Sequence, residues 1–238
     1  MNRGVLYGVG VGPGDPELLT IKAARILRQA DIIAVPDKGT GQKTAFNIVK
    51  EYVQDKPVME CVTPMVRDEA VLDAAYEEIT QRLCQELDQG KNIAFITLGD
   101  PSVYSTYYYI HCRVQKRGYE AQLIPGVPSF CAVAARLNKS LCERSQRLMI
   151  VPASHKDISD CLETDANLVF MKAGKEIGTL QNTLREKGLI DRASLVANCG
   201  MEGEQVWEHF DDMPENTGYF SVVVVKRGDS GADQDGRD

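Results

Sequence analysis

Ten short apolar runs alternate with helical patterns along most of this chain, and this alternation constrains its fold more than any other feature. Such alternation predicts α/β layers with largely parallel sheets, because parallel neighbours need a long crossover between them, usually a helix. Ten strands divide naturally into two sheets of about five, a typical size. The runs are VLYGVG, DIIAVP, VMECVT, NIAFITL, AQLIP, RLMIVP, NLVFMK, SLVANC, QVWEHF and YFSVVVVK.

The segment PGVP at 125–128 interrupts both the strand and the helix periodicity, so it marks a domain boundary. We predict two α/β domains, 1–125 and 126–228, each with a roughly five-stranded mixed sheet. Residues 229–238 are polar, glycine-rich and almost devoid of apolar side chains, which predicts a disordered tail.

Charge and cysteine content narrow the classes of function. The net charge is −7, from 27 Lys and Arg against 34 Asp and Glu, which argues against a nucleic-acid partner. We expect a cytoplasmic protein without a membrane association, since no apolar run approaches a membrane span and no signal peptide is evident. The seven cysteines lack a C-x-x-C pair and the three histidines lie far apart, so we expect free thiols and no metal site.

The stretch YGVGVGPGDPELLT has the strand, glycine-rich loop and helix order of a dinucleotide-binding fingerprint, but its spacing fails. Counting from Gly8 places Pro13 at the third glycine, and counting from Gly10 places Asp15 there. Proline offers no amide to a pyrophosphate, and an aspartate puts negative charge where the phosphate should bind. A dehydrogenase-like nucleotide binder stays open as an alternative, because Asp37 ends the second strand where a ribose-binding acid could lie.

Asp15 and Pro16 also suit the start of a helix. Asp15 is a natural N-cap and Pro16 fits the first helical position, so the sequence predicts a helix from about residue 16 to 30. Two further loops, LGDPSVYST and IPGVPSF, likewise follow predicted strands and are rich in glycine and hydroxyl side chains. Loops after the carboxyl ends of parallel strands form the ligand crevice of an open α/β sheet.

Together, GVGPGDPELLT, LGDPSVYST and IPGVPSF resemble the signature loops of the tetrapyrrole methylases, over roughly residues 4–227. LGDPSVYST, PGVPSFCAVAARL and TPMVRD are most similar to the branch that methylates carbon-20 of precorrin-2 or cobalt-factor II. The resemblance implies an active site in a cleft between two domains, S-adenosylmethionine as methyl donor, a small-molecule tetrapyrrole substrate and a homodimer. A uroporphyrinogen-III or precorrin-4 type methylase, or a diphthine synthase acting on protein, remains an alternative within the superfamily.

The resemblance also implies which residues bind the donor. At position 128 relatives often carry Ser or Thr, so a hydroxyl contact is lost at Pro128, and Ser129 is the candidate to replace it. By motif match the donor-binding residues are Pro13, Leu98, Gly99, Asp100, Val103, Ser105, Thr106, Pro128, Ser129, Phe130, Met171, Lys172, Asn198 and Cys199.

The implied chemistry is an in-line methyl transfer to a ring carbon, in which the protein contributes mainly proximity and orientation. A methylated meso carbon must then lose its proton, so a base could assist. Asp15 and Asp100 are the catalytic candidates, with helix capping and turn formation as the structural alternatives. For the acidic substrate we assign Arg67 as a cationic contact and Tyr108 as a ring contact; solvated surface and helix packing are their alternatives.

Overall fold

The computed structural model describes residues 3–37, 43–64, 66, 68–155, 157–210 and 217–227. The chain divides into two units, 1–128 and 129–238. Arg67 and the predicted tail 229–238 lie outside the described residues. Within the described ranges, no helix has both the length and the apolar character needed to cross a membrane.

The first unit is built on a five-stranded sheet in the order β3-β2-β4-β1-β5, with every neighbouring pair parallel. All five strands predicted for this half are confirmed, and the sheet is wholly parallel rather than mixed. The strands are β1 (Leu6–Gly10), β2 (Ile32–Asp37), β3 (Val58–Val62), β4 (Ile93–Thr97) and β5 (Ala121–Ile124).

Helices cover both faces of this sheet, and the chain changes face between the second and the third helix. The helices are α1 (Ile21–Gln29), α2 (Thr44–Val49), α3 (Glu69–Asp88) and α4 (Tyr107–Lys116). Helices α1 and α2 share one apolar core with the sheet, whereas α3 and α4 share the other. Adjacent strands β1 and β4 therefore lead to helices on opposite faces, which is the topological switch point where such sheets bind ligands.

The predicted helix over 16–30 is wrong at its beginning. Asp15 caps only a 3₁₀ turn, Pro16–Leu18, and Leu19 is extended with ψ 126°. Helix α1 begins instead at Ile21, because the hydroxyl of Thr20 accepts a hydrogen bond from the Ala23 amide at 3.1 Å and supplies a second N-cap. Ile21, the first residue of α1, is 91% exposed, whereas Ala23 in the same turn is buried.

The second unit is a mixed sheet in the order β6-β7-β10-β8-β9. Strands β6 and β7 are parallel, β10 is antiparallel to both β7 and β8, and β9 is antiparallel to β8. Strands β7 and β8 consequently run in the same direction on either side of β10, and their carboxyl ends lie at one edge. The elements are α5 (Ser129–Arg136), β6 (Leu148–Pro152), α6 (Ile158–Glu163), β7 (Asn167–Met171), α7 (Ile177–Glu186), β8 (Ala193–Ala197), β9 (Gln205–Trp207) and β10 (Ser221–Val225).

Candidate functional site

In the first unit, the loops that follow β1 and β4 are joined at the switch point. The Gly99 amide donates to the Gly12 carbonyl at 2.7 Å, and the Gly12 amide donates back to the Gly99 carbonyl at 3.3 Å. Both glycines adopt left-handed backbone angles, with φ 79° at Gly12 and 70° at Gly99. Such angles are rarely adopted by residues with a side chain, so this bridge requires glycine on both sides.

The loop after β5 packs against both of these loops through backbone contacts. A Cβ atom added at Gly126 would lie 2.2 Å from the Gly99 carbonyl oxygen and 2.7 Å from the Gly10 carbonyl carbon. A Cβ atom at Gly10 would lie 2.6 Å from the Gly126 nitrogen. The glycines therefore allow three loops to meet, and this explains a glycine-rich stretch that lacks the spacing of a phosphate-binding loop.

Asp100 ties two of the three loops together. Its side chain is buried, and Oδ2 accepts a hydrogen bond from the Gly126 amide at 3.0 Å. Its Oδ1 accepts from the Ser102 amide at 2.8 Å and from the Ser102 hydroxyl at 2.5 Å. Both carboxylate oxygens are thus engaged in holding the loops, which supports the turn-forming alternative; a catalytic part for Asp100 stays a prediction.

Asp15 has a freer carboxylate. Its Oδ1 accepts from the Glu17 amide at 2.8 Å, whereas Oδ2 makes no hydrogen bond with any residue that the structure describes. Asp15 is half-buried. It lies two residues after Pro13, which is buried in the loop that follows β1. Of the two candidate bases, Asp15 is the one that retains an unengaged oxygen.

The loop between β4 and α4 holds most of the remaining donor-binding candidates of this unit. Ser105 is half-buried and its hydroxyl hydrogen-bonds the Thr97 hydroxyl at 2.9 Å, and the Val103 amide donates to the Asp100 carbonyl at 3.3 Å. Leu98 packs against the core shared with α1 and α2. Thr106, another candidate in this loop, is exposed at the N-cap position of α4. Pro128 lies outside this loop and is half-buried at the end of the unit.

Helix α4 begins at Tyr107, because Tyr104 has φ 47° and cannot belong to a right-handed helix. Sequence reasoning did not single out Tyr104, whose left-handed backbone carries no compositional signal. Tyr108, the predicted ring contact, is 49% exposed on α4 and stacks on His111 with ring centroids 5.9 Å apart. Burial lowers the pKa of His111, which hydrogen-bonds the Tyr107 hydroxyl at 3.1 Å.

In the second unit, the two predicted donor-binding stretches lie at the same sheet edge. Buried Met171 ends β7, and Lys172 follows it with φ 60°. Asn198 follows β8 with φ 52°, and its amide donates to the Phe220 carbonyl at 2.9 Å, just before β10. Left-handed backbone at two non-glycine residues of one edge is typical of functional loops.

Three other predicted residues of this unit are placed as follows. Cys199 is buried next to Asn198, Ser129 is the half-buried first residue of α5, and Phe130 is buried in that helix. Among the described residues, no three His, Cys, Asp or Glu side chains are grouped closely enough to hold a metal ion.

Glu204, which sequence reasoning missed, fastens the loop after β8. Its Oε2 accepts from the Gly200 amide at 2.8 Å, and its Oε1 pairs with Arg136 Nε of α5 at 2.5 Å. The Gly200 amide, followed by the Arg136 guanidinium, lowers the pKa of Glu204 below its usual 4.5. The predicted residues Asn198 and Cys199 thus belong to a loop held by a charged side chain.

We expect the contacts of the Glu204 carboxylate with Gly200 and Arg136 to weaken in acid, when the carboxylate is protonated. Because the pKa of Glu204 is lower in the folded state, its stabilisation is fully present above pH 4.5 and disappears as the pH falls through the folded-state value. The pair is partly exposed, so the contribution is about 1 kcal/mol or less. Thermal melts between pH 7 and 3 should show a steeper loss of stability in the parent than in Glu204→Gln. Parallel profiles would contradict this role.

The amino-acid sequence of this chain is similar to a known protein family and to several characterised relatives. The family model described as Tetrapyrrole (Corrin/Porphyrin) Methylases matches residues 5–210. A cobalt-precorrin-2 C(20)-methyltransferase of Salmonella typhimurium is 32% identical over 94% of this chain and 97% of its own length. A probable cobalt-precorrin-2 C(20)-methyltransferase of Methanocaldococcus jannaschii is 32% identical over 93% and 96%. A precorrin-2 C(20)-methyltransferase of Sinorhizobium is 28% identical over 93% and 95%.

Solved structures share the same architecture at lower identity. A cobalt precorrin-4 methyltransferase superposes with a TM-score of 0.73 at 17% identity, over 93% of this chain and 94% of that protein. A uroporphyrin-III C-methyltransferase of Thermus thermophilus, complexed with S-adenosylhomocysteine, superposes with a TM-score of 0.67 at 20% identity, over 93% and 97%. These likenesses establish the fold of two α/β units.

Proposed function

Because this chain belongs to the tetrapyrrole (corrin/porphyrin) methylase family, we propose that it methylates carbon-20 of precorrin-2 or cobalt-factor II in cobalamin biosynthesis. The observation that carries the proposal is 32% identity to a cobalt-precorrin-2 C(20)-methyltransferase over nearly the full length of both proteins. The interlocked loops of the first unit agree with it, since they are the segments that carry the family resemblance.

S-adenosylmethionine would supply an electrophilic methyl group on a sulfonium centre. The task of the protein is then to hold the donor and the ring carbon in line, about 3–3.5 Å apart, and to exclude water. The joined loops at Gly12, Gly99 and Gly126 provide a rigid backbone surface for this purpose. Rigid positioning matters because a small displacement of the reacting atoms costs orders of magnitude in rate.

We assign the two aspartates different parts. Asp100 holds the loop surface through Gly126 and Ser102, so it acts as a positioning residue. Asp15 has an unengaged carboxylate oxygen in the neighbouring loop and is the base that takes the proton from the methylated carbon.

The remaining assignments rest on the family resemblance. Met171, Lys172, Asn198 and Cys199 would contact the donor, and Arg67 and Tyr108 the tetrapyrrole. We further propose that the enzyme is a cytoplasmic homodimer. Light scattering coupled to size-exclusion chromatography measures the mass of the protein in solution. A mass near 26.3 kDa, that of one chain, would contradict the dimer.

The proposed activity is tested by incubating the protein with methyl-labelled donor and either precorrin-2 or cobalt-factor II. We expect one labelled methyl group per product, located at carbon-20 by NMR. A label at another ring carbon would assign the chain to a different methylase of the family. Calorimetry with S-adenosylhomocysteine and NAD provides a second readout, and tighter binding of NAD would favour the dehydrogenase-like alternative.

A further inference from the structure

One pair of hydroxyl groups in the first unit connects the two ends of the loop between β4 and α4. Thr97 ends β4 and Ser105 lies two residues before α4, and their hydroxyl oxygens are hydrogen-bonded at 2.9 Å. We propose that Thr97 is a positioning residue, whose hydroxyl holds the Ser105 hydroxyl so that it donates its hydrogen to the carboxylate of the methyl donor. This inference rests on the proposed function and extends it, since the family resemblance implies Ser105 but not Thr97.

Thr97 is a rigid anchor because the sheet fixes its backbone. It is paired with Gly10 in the parallel register of β1 and β4, and its carbonyl accepts a hydrogen bond from the Val11 amide at 3.0 Å. Its β-branched side chain also has few accessible rotamers. The Thr97 hydroxyl therefore has a nearly fixed position, whereas the unbranched side chain of Ser105 depends on a partner for its orientation.

The loop that this pair closes is fixed at its beginning as well. Eight positions separate Thr97 from Ser105, and near the first of them the Asp100 carboxylate accepts a hydrogen bond from the Gly126 amide at 3.0 Å. The hydroxyl pair fixes the other end of the loop. Ser105 is thereby held near the carboxyl edge of the parallel sheet, where open α/β folds bind their ligands.

The hydroxyl pair has one hydrogen more than its own bond requires. Each hydroxyl carries one hydrogen and two acceptor lone pairs, so the bond between the two oxygens uses one of the two hydrogens. Within the described ranges, neither the Thr97 nor the Ser105 hydroxyl makes a second hydrogen bond. Both residues are only half-buried. The remaining hydrogen is therefore available to an acceptor on a ligand.

A carboxylate is the acceptor that suits this hydrogen best, because hydrogen bonds to an ionised oxygen are about twice as strong as neutral ones. S-adenosylmethionine has one carboxylate, on its amino-acid portion, and the tetrapyrrole has several. Ser105 belongs to the joined loops that are proposed to hold the donor, so the donor's carboxylate is its ligand. When Ser105 donates to it, Thr97 must donate to Ser105, and each bond of such a chain strengthens the next.

The test compares two ligands that differ in this carboxylate. S-adenosylhomocysteine has the complete amino-acid portion, whereas 5′-methylthioadenosine keeps the adenosine and the sulfur without that portion. Thr97→Val nearly preserves the shape of the side chain and removes its hydroxyl. By calorimetry, we expect this variant to bind S-adenosylhomocysteine about 10-fold more weakly and 5′-methylthioadenosine as the parent does. Thr97→Ser keeps a hydroxyl and should restore the affinity.

A double-variant cycle measures whether Thr97 acts through Ser105. Ser105→Ala should weaken S-adenosylhomocysteine binding by about 10-fold or more, and adding Thr97→Val to it should cause no further loss. Thr80→Val is the matched control, because the Thr80 hydroxyl donates to the Tyr76 carbonyl of its own helix, α3, at 2.6 Å. This control should leave S-adenosylhomocysteine affinity unchanged.

Several outcomes would overturn the inference. Additive losses in the double variant would show that Thr97 does not act through Ser105, and an equal loss of affinity for both nucleosides would exclude the carboxylate. Weaker precorrin-2 binding with unchanged S-adenosylhomocysteine affinity would assign the hydrogen to the tetrapyrrole instead. A parent that shows the expected donor results but methylates another ring carbon would overturn the proposed function and leave the role of Thr97 standing.

Discussion

Replacing Gly126 with alanine is expected to abolish donor binding and to destabilise the first unit. The added Cβ atom would lie 2.2 Å from the Gly99 carbonyl oxygen and 2.7 Å from the Gly10 carbonyl carbon. Both neighbours are backbone atoms, so the overlap can be relieved only by separating the three loops. Overpacking of this kind costs about 3 kcal/mol. Calorimetry should show at least about 100-fold weaker S-adenosylhomocysteine binding, because a loss of binding free energy of that size corresponds to about this factor in Kd.

The matched control is Gly178→Ala. Gly178 lies in α7, and apart from its chain neighbours and the backbone of its own helix, no described residue has an atom within 4 Å of a Cβ atom added there. Alanine is a better helix former than glycine, so this variant should be more stable by up to about 1 kcal/mol and should bind the donor normally. A well-folded Gly126→Ala protein with parental donor affinity would show that contact between the loops is not needed for the site.

Replacing Asp15 with asparagine is expected to lower turnover by about 100-fold while leaving the fold intact. Asparagine caps a helical turn about as well as aspartate, so the hydrogen bond with the Glu17 amide can be kept. The change removes the basicity of the carboxylate, and loss of a general base typically costs this much. Single-turnover kinetics, a donor titration and a thermal melt on one preparation measure the three quantities separately.

Asp100→Asn serves as the comparison for this variant. Asparagine has an NH₂ group in place of one of the two carboxylate oxygens, and this group would face the backbone N–H of either Gly126 or Ser102. Since two donors cannot bond each other, at least one buried hydrogen bond is lost, at a cost of about 1–3 kcal/mol. We therefore expect reduced stability and weaker donor binding from Asp100→Asn. If Asp15→Asn turns over at the parental rate, Asp15 is only a cap.

The strands were predictable because their signal is local. A buried strand in an α/β sheet is a continuous apolar run, and all ten predicted runs became strands in two sheets of five. Both ends of helix α3 (Glu69–Asp88) also have a local signal, since Asp68 caps it and Gly90 follows it. The beginning of α1 was not predictable in the same way, because Asp15 and Thr20 are both good caps and only tertiary packing selects between them.

The site was less predictable because its geometry depends on contacts between distant residues. Asp100 and Gly126 are 26 positions apart, and no local pattern indicates that one carboxylate oxygen accepts the other residue's amide. The left-handed residues Tyr104, Lys172 and Asn198 are also invisible in composition, because none is glycine. Sequence reasoning singled out these loops, but the hydrogen bonds that shape them appear only in the three-dimensional structure.

The position of β10 in the second sheet has a consequence for biosynthesis of the protein. Strands β7 and β8 do not pair with each other; each pairs with β10, whose residues Ser221–Val225 are translated after both. The first sheet has all its strands once Ile124 has been translated, so it can form while the ribosome is still at work. The second sheet cannot close until β10 emerges, and the stretches around Lys172 and Asn198 acquire their common edge only then. A nascent chain stalled before Ser221 would carry a complete first sheet and a second sheet split in two.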